Sequence, residues 1–226
     1  MVEAISAFWS EYGTLLAEAT WDTLVMTAVS ALFAYLLGLP MGVLLSISQP
    51  GGIRPCKPLN RCLGWIINVG RSLPFMILMV CIMEFTKLIV GTKFGVRGAI
   101  VPLVVSAAPF IARMVESSLS EVDAGVVEAA QSMGASPFQI VWKVYLPEAK
   151  PSLILGASIS IITILGYTAI AGAVGAGGLG DLAIRYGYIN RTPSVLWISV
   201  ILIIALVQVI QSVFSRLSSK IDKRLK

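Results

Sequence analysis

The chain has 226 residues, of which 57% are hydrophobic and only 13% are charged, and its mean hydropathy is +0.87. Soluble domains carry about 25% charged residues, so this composition indicates a protein that crosses a membrane several times. The net charge of +5 is no evidence for nucleic-acid binding, because in a membrane protein the position of the charges matters more than their sum. With no histidine and no CxxC pair among three cysteines, no metal site is expected.

The first 22 residues carry four acidic side chains and no basic one. Trp9 and Trp21 are aromatic side chains of the kind that lie at membrane–water interfaces. We therefore expect residues 1–22 to form an amphipathic arm ahead of a transmembrane domain that covers residues 23–215.

Five apolar stretches can cross a membrane as helices of about 20 residues. The predicted spans are residues 24–46, 63–85, 99–115, 152–173 and 194–214. The third is short between Arg97 and Arg113, so its helix must continue past these charges or the bilayer must thin locally. Arg71 interrupts the second span, and it either lies at membrane depth or snorkels to the interface where the span begins.

Five spans place the two termini on opposite sides of the membrane. Residues 216–226 form a tail with five basic residues, which is typical of cytoplasmic segments. We expect the tail in the cytoplasm and the N-terminus outside. Residues 116–150 then form a cytoplasmic loop, and the basic residues of the outer loop at Lys87, Lys93 and Arg97 oppose this orientation but are outweighed.

The cytoplasmic loop begins with the pattern of a short capped helix. Asp123 is a candidate N-cap. An apolar stripe follows at helical spacing, and its members are Val126, Ala129, Ala130 and Met133. Small side chains on this stripe would let a partner approach closely.

A second helix is predicted directly after the first. Gly134 lies where a glycine commonly ends a helix, and Ser136 with Gln139 forms a capping box that starts the next one. Leu146-Pro147 is expected to end it, because proline disfavours helical geometry in the residue before it. From the residues alone, this helix pair is either a docking element or an amphipathic segment on the membrane surface.

Residues 166–181, at the end of the fourth span, are nearly all small. Such residues bring helices close together, or they leave room for a solute beside irregular backbone. Small or polar residues of the third and fourth spans are candidates for a translocation pathway, namely Ser106, Pro109, Tyr167, Thr168 and Ala171.

The sequence offers no arrangement for catalysis or ATP hydrolysis. Glu84 is the one carboxylate near a span interior, and no GxxxxGK[ST] motif occurs. An ion-coupled transporter would show buried charges and repeats, and a channel would show a filter or charge rings. The residues by themselves leave a transport component or a membrane receptor or scaffold.

The spacing of the loop residues resembles the EAA motif of ABC importer permeases. It consists of Glu128-Ala129-Ala130, three residues, Gly134, nine residues, Val144, one residue and Leu146-Pro147. The family prefers isoleucine where Val144 stands. The segments RSLPF, SAAPFIARMVESSLSEV and GYTAIAGAVGAGGLG are similar to the permease subunits of methionine ABC importers, and this resemblance extends from the first span to the last.

The resemblance implies an all-α fold, that of a type I ABC importer permease, with five transmembrane helices and cytoplasmic coupling helices in the bacterial inner membrane. It implies two copies of this chain, two ATPase subunits that bind ATP and magnesium, an extracytoplasmic binding protein, and methionine as substrate. This chain would be a translocation subunit with no catalytic residue and no cofactor of its own. A permease for another amino acid or small polar solute is the alternative.

The resemblance also assigns a role to the residues that match the motif. It implies that they couple the chain to the ATPase subunits, and they are Glu128, Ala129, Ala130, Gly134, Val144, Leu146 and Pro147.

Overall fold

The computed structural model describes residues 2–221 of the chain. These residues form helices joined by short turns, and no strand occurs among them. The α-helices are α1 (Val2–Ser48), α2 (Lys57–Ser72), α3 (Phe75–Cys81), α4 (Met83–Val90), α5 (Gly95–Ser120), α6 (Ala124–Ser132), α7 (Pro137–Ile140), α8 (Leu146–Glu148), α9 (Lys150–Gly172), α10 (Gly178–Leu182) and α11 (Pro193–Ile221). Two π-helices are π1 (Val141–Tyr145) and π2 (Ala183–Ile189).

Four of the described helices are long and apolar enough to cross a membrane, and they lie within α1, α5, α9 and α11. The pair α2 and α3 provides a fifth span when it is counted as one, and it is bent by 101° at its break. Leu73 has an extended ψ of 123° there, because the following Pro74 disfavours helical geometry. The count agrees with the five transmembrane helices that the sequence predicts.

The N-terminal arm is not a separate element, which differs from the expectation for residues 1–22. α1 runs without a break from Val2 to Ser48, so the arm and the first predicted span share one helix. The reason is local, because residues 14–37 contain neither glycine nor proline. Nothing in that stretch stops a helix once it has begun.

The second predicted span, residues 63–85, is divided among α2, α3 and α4. Arg71 lies exposed in the last turn of α2, immediately before the break at Pro74. A basic side chain at a helix C-terminus interacts favourably with the partial negative charge of the last carbonyl groups. The structure therefore places this arginine at a helix end rather than in the middle of a continuous span.

The third span is longer than the predicted residues 99–115. α5 has 26 residues and includes both Arg97 and Arg113. At about 1.5 Å per residue it spans roughly 39 Å, more than the ~30 Å hydrocarbon core. The helix thus continues past its flanking charges, which is the first of the two alternatives that the sequence left open.

The last two spans begin near their predicted positions. α9 begins at Lys150 and ends at Gly172. α11 continues to Ile221 and so takes in the first part of the predicted tail, including Arg216 and Lys220. The other basic residues of that tail, Lys223, Arg224 and Lys226, lie outside the described residues.

The chain divides into two compact units, which are described separately. Unit 1 consists of Met1–Leu32, Pro74–Val104 and Ile161–Ile210, and unit 2 consists of Phe33–Leu73, Val105–Ser160 and Gln211–Lys226. A core cluster of unit 1 contains Leu16, Ala19, Leu179, Leu182 and Val195. A core cluster of unit 2 contains Leu45, Ile67 and Ala112.

Within unit 2, α1 packs closely against α5 through two glycines. A Cβ atom on Gly38 would lie 2.7 Å from the carbonyl oxygen of Ala108, and one on Gly42 would lie 2.7 Å from Cβ of Val115. The two glycines have the GxxxG spacing that allows helix backbones to approach each other in a membrane. The absence of side chains at both positions is therefore a packing requirement.

We predict that Gly42→Ala lowers the unfolding temperature of the detergent-purified protein. The added methyl group would overlap Val115 and Ala112, and overpacking of this kind costs about 1–3 kcal/mol. Gly166→Ala is the matched control, because a Cβ atom on this α9 glycine meets nothing within 4 Å. Equal unfolding temperatures for the two variants would contradict the packing described.

Candidate functional site

The segment between α5 and α9 begins with the capped helix that the sequence predicts. The side chain of Asp123 accepts a hydrogen bond from the Gly125 N–H at 2.7 Å and starts α6. α6 ends at Ser132, and Gly134 follows in the left-handed region with a φ of 78°. Both the predicted N-cap and the predicted glycine stop are confirmed.

A capping box starts α7, as predicted. The Gln139 side chain accepts a hydrogen bond from the Ser136 N–H at 2.8 Å, and Ser136 Oγ accepts one from the Gln139 N–H at 3.4 Å. Pro137 follows in the first turn, where its missing N–H leaves no bond unmade. The start of this helix is therefore fixed within a few residues of the glycine turn.

The prediction that Leu146-Pro147 ends the second helix is wrong. The chain passes from α7 through π1 into α8, and α9 begins at Lys150 after a single turn residue, Ala149. The Leu146 N–H donates to the carbonyl oxygen of Val141, five residues back. A regular α-helix would bring the Pro147 ring against a carbonyl group of the preceding turn, and the wider π-turn accommodates it.

α6 presents one side to its own chain and leaves the other exposed. Val127 and Ala130 are only 7% and 5% exposed. Val126 and Met133 are 44% and 81% exposed, and Ala129 is exposed as well. This differs from the predicted stripe, because Ala130 packs inside the chain and of the two alanines only Ala129 is accessible.

Glu128 lines a cavity of about 260 Å³ beside α6. The other walls come from the end of α1, the turn of residues 49–53, the end of α5 and Tyr145 of π1. A tyrosine hydroxyl group is neutral at physiological pH, and burial raises the pKa of Tyr145 further above its ordinary value. The cavity therefore combines one exposed carboxylate with neutral polar groups, an arrangement that fits a basic side chain.

The turn after α1 was not identified from the sequence as part of this site. The Gly52 N–H donates to the carbonyl oxygen of Gln49 at 2.9 Å, and the Arg54 N–H donates to that of Ile47 at 3.1 Å. Gly51 has a φ of 85°, which permits the tight reversal. The residues Pro50-Gly51-Gly52 signal a turn, but its position against α6 depends on tertiary packing.

The remaining motif residues follow along the same segment. Val144 of π1 and Leu146 of α8 are half-buried, and Pro147 is exposed. The motif thus extends from an exposed helix face, through the glycine turn, to the start of the fourth span.

Two of the pathway candidates belong to unit 2. Ser106 is 8% exposed, and Pro109 packs on Gly70, where a Cβ atom would lie 2.7 Å from Cγ of the proline. One turn further along α5, Arg113 forms an ion pair with Glu116 and donates a hydrogen bond to Asn68 at 2.7 Å. Pro109 therefore supports the packing of α2 on α5, next to a polar cluster that the sequence did not reveal.

The other three candidates belong to unit 1, in the last two turns of α9. The Tyr167 ring stacks on Phe75, with 4.7 Å between ring centroids and 5° between planes. The Thr168 hydroxyl donates to the carbonyl oxygen of Leu165 at 2.7 Å, and Ala171 is fully buried. Tyr167 is thus the one of the three that keeps an accessible surface in this unit.

The glycine-rich segment after α9 forms a fixed turn within unit 1. The Leu179 N–H donates to Thr23 Oγ1 at 2.9 Å, and Gly178 next to it has a φ of 80°. The Gly95 N–H donates to the carbonyl oxygen of Gly175 at 2.9 Å. The small residues serve close backbone approach here, which is the first of the two roles that the sequence allows.

The class of the protein follows from comparison with known proteins. The family described as "Binding-protein-dependent transport system inner membrane component" matches residues 34–226. Because the match covers most of the chain, the chain belongs to this family and is a multi-pass component of the bacterial inner membrane.

Two curated relatives indicate which members of this family the chain is similar to. The chain is 48% identical over 220 residues to the probable D-methionine transport system permease protein MetI of Vibrio cholerae, covering 97% of this chain and 98% of the relative. It is 52% identical over 158 residues to the D-methionine transport system permease protein MetI of Escherichia coli, covering 70% and 73% of the two chains.

Solved structures show the same fold. A chain from inward-facing conformations of the MetNI methionine ABC transporter has a TM-score of 0.93 and 47% identity, covering 94% of this chain and 99% of that one. A chain from the crystal structure of an amino acid ABC transporter with histidines has a TM-score of 0.71 and 21% identity, covering 95% of this chain and 96% of that one. The fold is that of a type I ABC importer permease.

We predict that Thr23→Val lowers the unfolding temperature and speeds amide hydrogen exchange at Leu179. The substitution keeps the side-chain shape but removes the acceptor of a buried N–H group, which costs about 1–3 kcal/mol. Thr20→Val is the control, because the Thr20 hydroxyl donates within its own helix, to Leu16. If both variants behave alike, the bond to Leu179 does not hold the glycine-rich segment.

Proposed function

We propose that this chain is the permease subunit of an ATP-driven methionine importer. The similarity to MetI proteins and to the MetNI transporter extends over almost the whole chain, and it supports methionine as the substrate. The observation that carries the mechanism is the capped helix pair, whose exposed side bears Glu128, Val126 and Met133.

The proposed complex has four membrane-associated subunits and works with a separate binding protein. Two copies of this chain form the pathway, two ATPase subunits bind ATP and magnesium, and an extracytoplasmic binding protein delivers the substrate. This chain itself holds no cofactor in this proposal. Its contribution is to change shape when the ATPase subunits close.

The α6 face is proposed as the contact with the ATPase. Exposed apolar patches mark interaction sites, and Val126 together with Met133, the residue after α6, gives this face apolar surface, being 44% and 81% exposed. Ala129 is small enough to let a partner approach this face closely. The Glu128 carboxylate can accept a hydrogen bond from a basic side chain of the ATPase that enters the adjoining cavity. Such a charge-assisted hydrogen bond is stronger than one between neutral groups.

Movement of α6 can reach the membrane helices through short connections within unit 2. α6 is anchored by Val127 and Ala130, and α7, π1 and α8 lead directly into α9. The start of α9 is tied to its neighbours, because Ser152 donates to Ser118 of α5 and Ser218 of α11 donates to the Pro151 carbonyl oxygen, both at 3.0 Å. A lever of this kind is a known way to rock helices between two arrangements.

For the translocation pathway we propose the same residues that the sequence analysis identified as candidates. Tyr167 is the strongest of them, since its ring is accessible within unit 1 and its orientation is fixed by Phe75. Ser106, Pro109, Thr168 and Ala171 would shape the pathway through packing. The binding protein, rather than this chain, would supply most of the selectivity.

We also propose that the N-terminus lies outside and the C-terminus in the cytoplasm. The basic residues Arg216 and Lys220 in the last turns of α11 support this orientation, and it places α6 on the ATPase side. A green fluorescent protein fused after Lys226 is expected to fluoresce, and an alkaline phosphatase fused there is expected to be inactive. The opposite pattern would overturn the orientation.

The direct test of function is uptake of labelled methionine into proteoliposomes that contain this chain, its ATPase and its binding protein. We expect uptake only with ATP, and competition by methionine and its close analogues. Better competition by another solute would retain the permease and replace the substrate. An assembled complex that moves no solute with ATP would contradict the importer function itself.

We predict that Glu128→Lys lowers ATP-driven uptake by about ten-fold or more, because breaking a charge pair at an interface costs about 2–5 kcal/mol. The variant should still insert into the membrane at normal abundance, since the Glu128 side chain is exposed. Glu121→Lys is the matched control, because Glu121 is also exposed in this loop but lies outside α6 and its cavity. Normal uptake by Glu128→Lys would rule out the coupling role.

A further inference from the structure

An apolar groove of about 400 Å³ lies on unit 2, between α1 and the segment formed by α7 and π1. Its volume is within the roughly 300–1,000 Å³ of small-molecule sites. One wall is the last two turns of α1, with Val43, Leu44 and Ile47, and the other is the α7–π1 segment, with Phe138 and Trp142.

The groove is continuous with a surface that faces outward along a membrane-spanning helix. Its α1 wall belongs to the candidate span Phe8–Ser48. Further up the same helix, Phe33, Leu36 and Leu37 are 48%, 60% and 53% exposed, and they form a stripe at helical spacing. An extended apolar molecule in the groove could therefore continue along this stripe.

The aromatic wall has the character of a membrane interface. Phe138 and Trp142 are 72% and 59% exposed, and their ring centroids are 6.0 Å apart. Tryptophan side chains such as Trp142 concentrate where the hydrocarbon core meets the headgroups. The groove thus has one wall on a candidate membrane-spanning helix and another wall with a tryptophan suited to a membrane interface.

The groove has one basic residue in its lining, Arg54. Arg54 lines the groove, and the bond from its N–H to the Ile47 carbonyl oxygen fixes its backbone at the end of α1. Within residues 2–221, its exposed guanidinium group has no hydrogen bond or ion pair with another side chain. Segment 49–61 adds Lys57 and Arg61 and no acidic residue.

We propose that this groove binds one anionic phospholipid. The phosphate group pairs with Arg54, and one acyl chain lies along Val43 and Leu44 beneath Trp142. Lipid is the occupant that matches both features, because its apolar chain continues onto the exposed α1 stripe and its charge complements the unpaired guanidinium. Basic pockets at the cytoplasmic ends of spans bind anionic headgroups in this way.

The test uses the complete permease–ATPase complex in nanodiscs of unlabelled phosphatidylcholine. The probes are phosphatidylglycerol and phosphatidylcholine with brominated acyl chains, which quench tryptophan fluorescence on contact. The quenching of Trp142 is obtained as the difference in fluorescence quenching between the wild type and Trp142→Phe. This difference removes the contribution of the other tryptophans. We expect half-maximal quenching at about five-fold less phosphatidylglycerol than phosphatidylcholine, the effect expected for one basic residue near an anionic headgroup.

Two substitutions and one control separate the effect of the Arg54 charge from that of the groove's shape. Arg54→Gln should abolish the preference for phosphatidylglycerol, whereas Arg216→Gln, which changes an exposed arginine of α11 outside the groove, should retain it. Val43→Phe fills the groove and should reduce quenching by both lipids. All variants are compared as assembled complexes, so a folding defect is detected as a loss of complex.

Three results would overturn the proposal. The first is equal quenching by the two lipids in the wild type, and the second is an unchanged lipid preference in Arg54→Gln. The third is no quenching of Trp142 by either lipid, which would mean that a second copy of the chain or the ATPase covers the groove.

Discussion

The structure depends on one constraint. Inside a membrane there is no water to bond backbone N–H and C=O groups, so each of them must be hydrogen-bonded within the protein, and a group left unpaired costs several kcal/mol. Long helices satisfy most of this constraint, and several interruptions have a specific partner. Thr23 accepts the buried Leu179 N–H, and the Ile47 carbonyl oxygen accepts the Arg54 N–H at the end of α1. In the exposed loop, where water is available, Asp123 and Ser136 cap the two helices. These partnered interruptions are also the places where the sites described above occur.

The loop between α5 and α9, which we propose as the contact with the ATPase, shows how local hydrogen bonding can serve function. Its helices are too short to be stable alone, so capping and the burial of Val127 and Ala130 hold them in place. The remaining face is free to meet another subunit without loss of internal packing. π1 and α8 lead into α9 with a single turn residue between α8 and α9. The connection from that face to the fourth span is therefore short, so a displacement of the face is transmitted to the span. Gly134 supplies the one sharp reversal in the segment.

Local patterns predicted the parts of this structure that local physics controls. The apolar runs predicted the spans, and the caps at Asp123 and Ser136 and the stop at Gly134 follow from rules that involve only a few neighbouring residues. Tertiary packing decided the rest. It determines that Val127 and Ala130 are the buried residues of α6, and that the turn of residues 49–53 lies beside it. Likewise, no local rule shows that a π-turn will accommodate Pro147.

The central claim is that the exposed face of α6 meets the ATPase, and site-specific photo-crosslinking tests it most directly. A photoreactive amino acid at Met133 samples that face, and one at Trp142 samples the apolar groove on the same segment. In the assembled transporter, Met133 is expected to crosslink to the ATPase subunit and Trp142 is not. An ATPase adduct from Trp142 with none from Met133 would contradict the account.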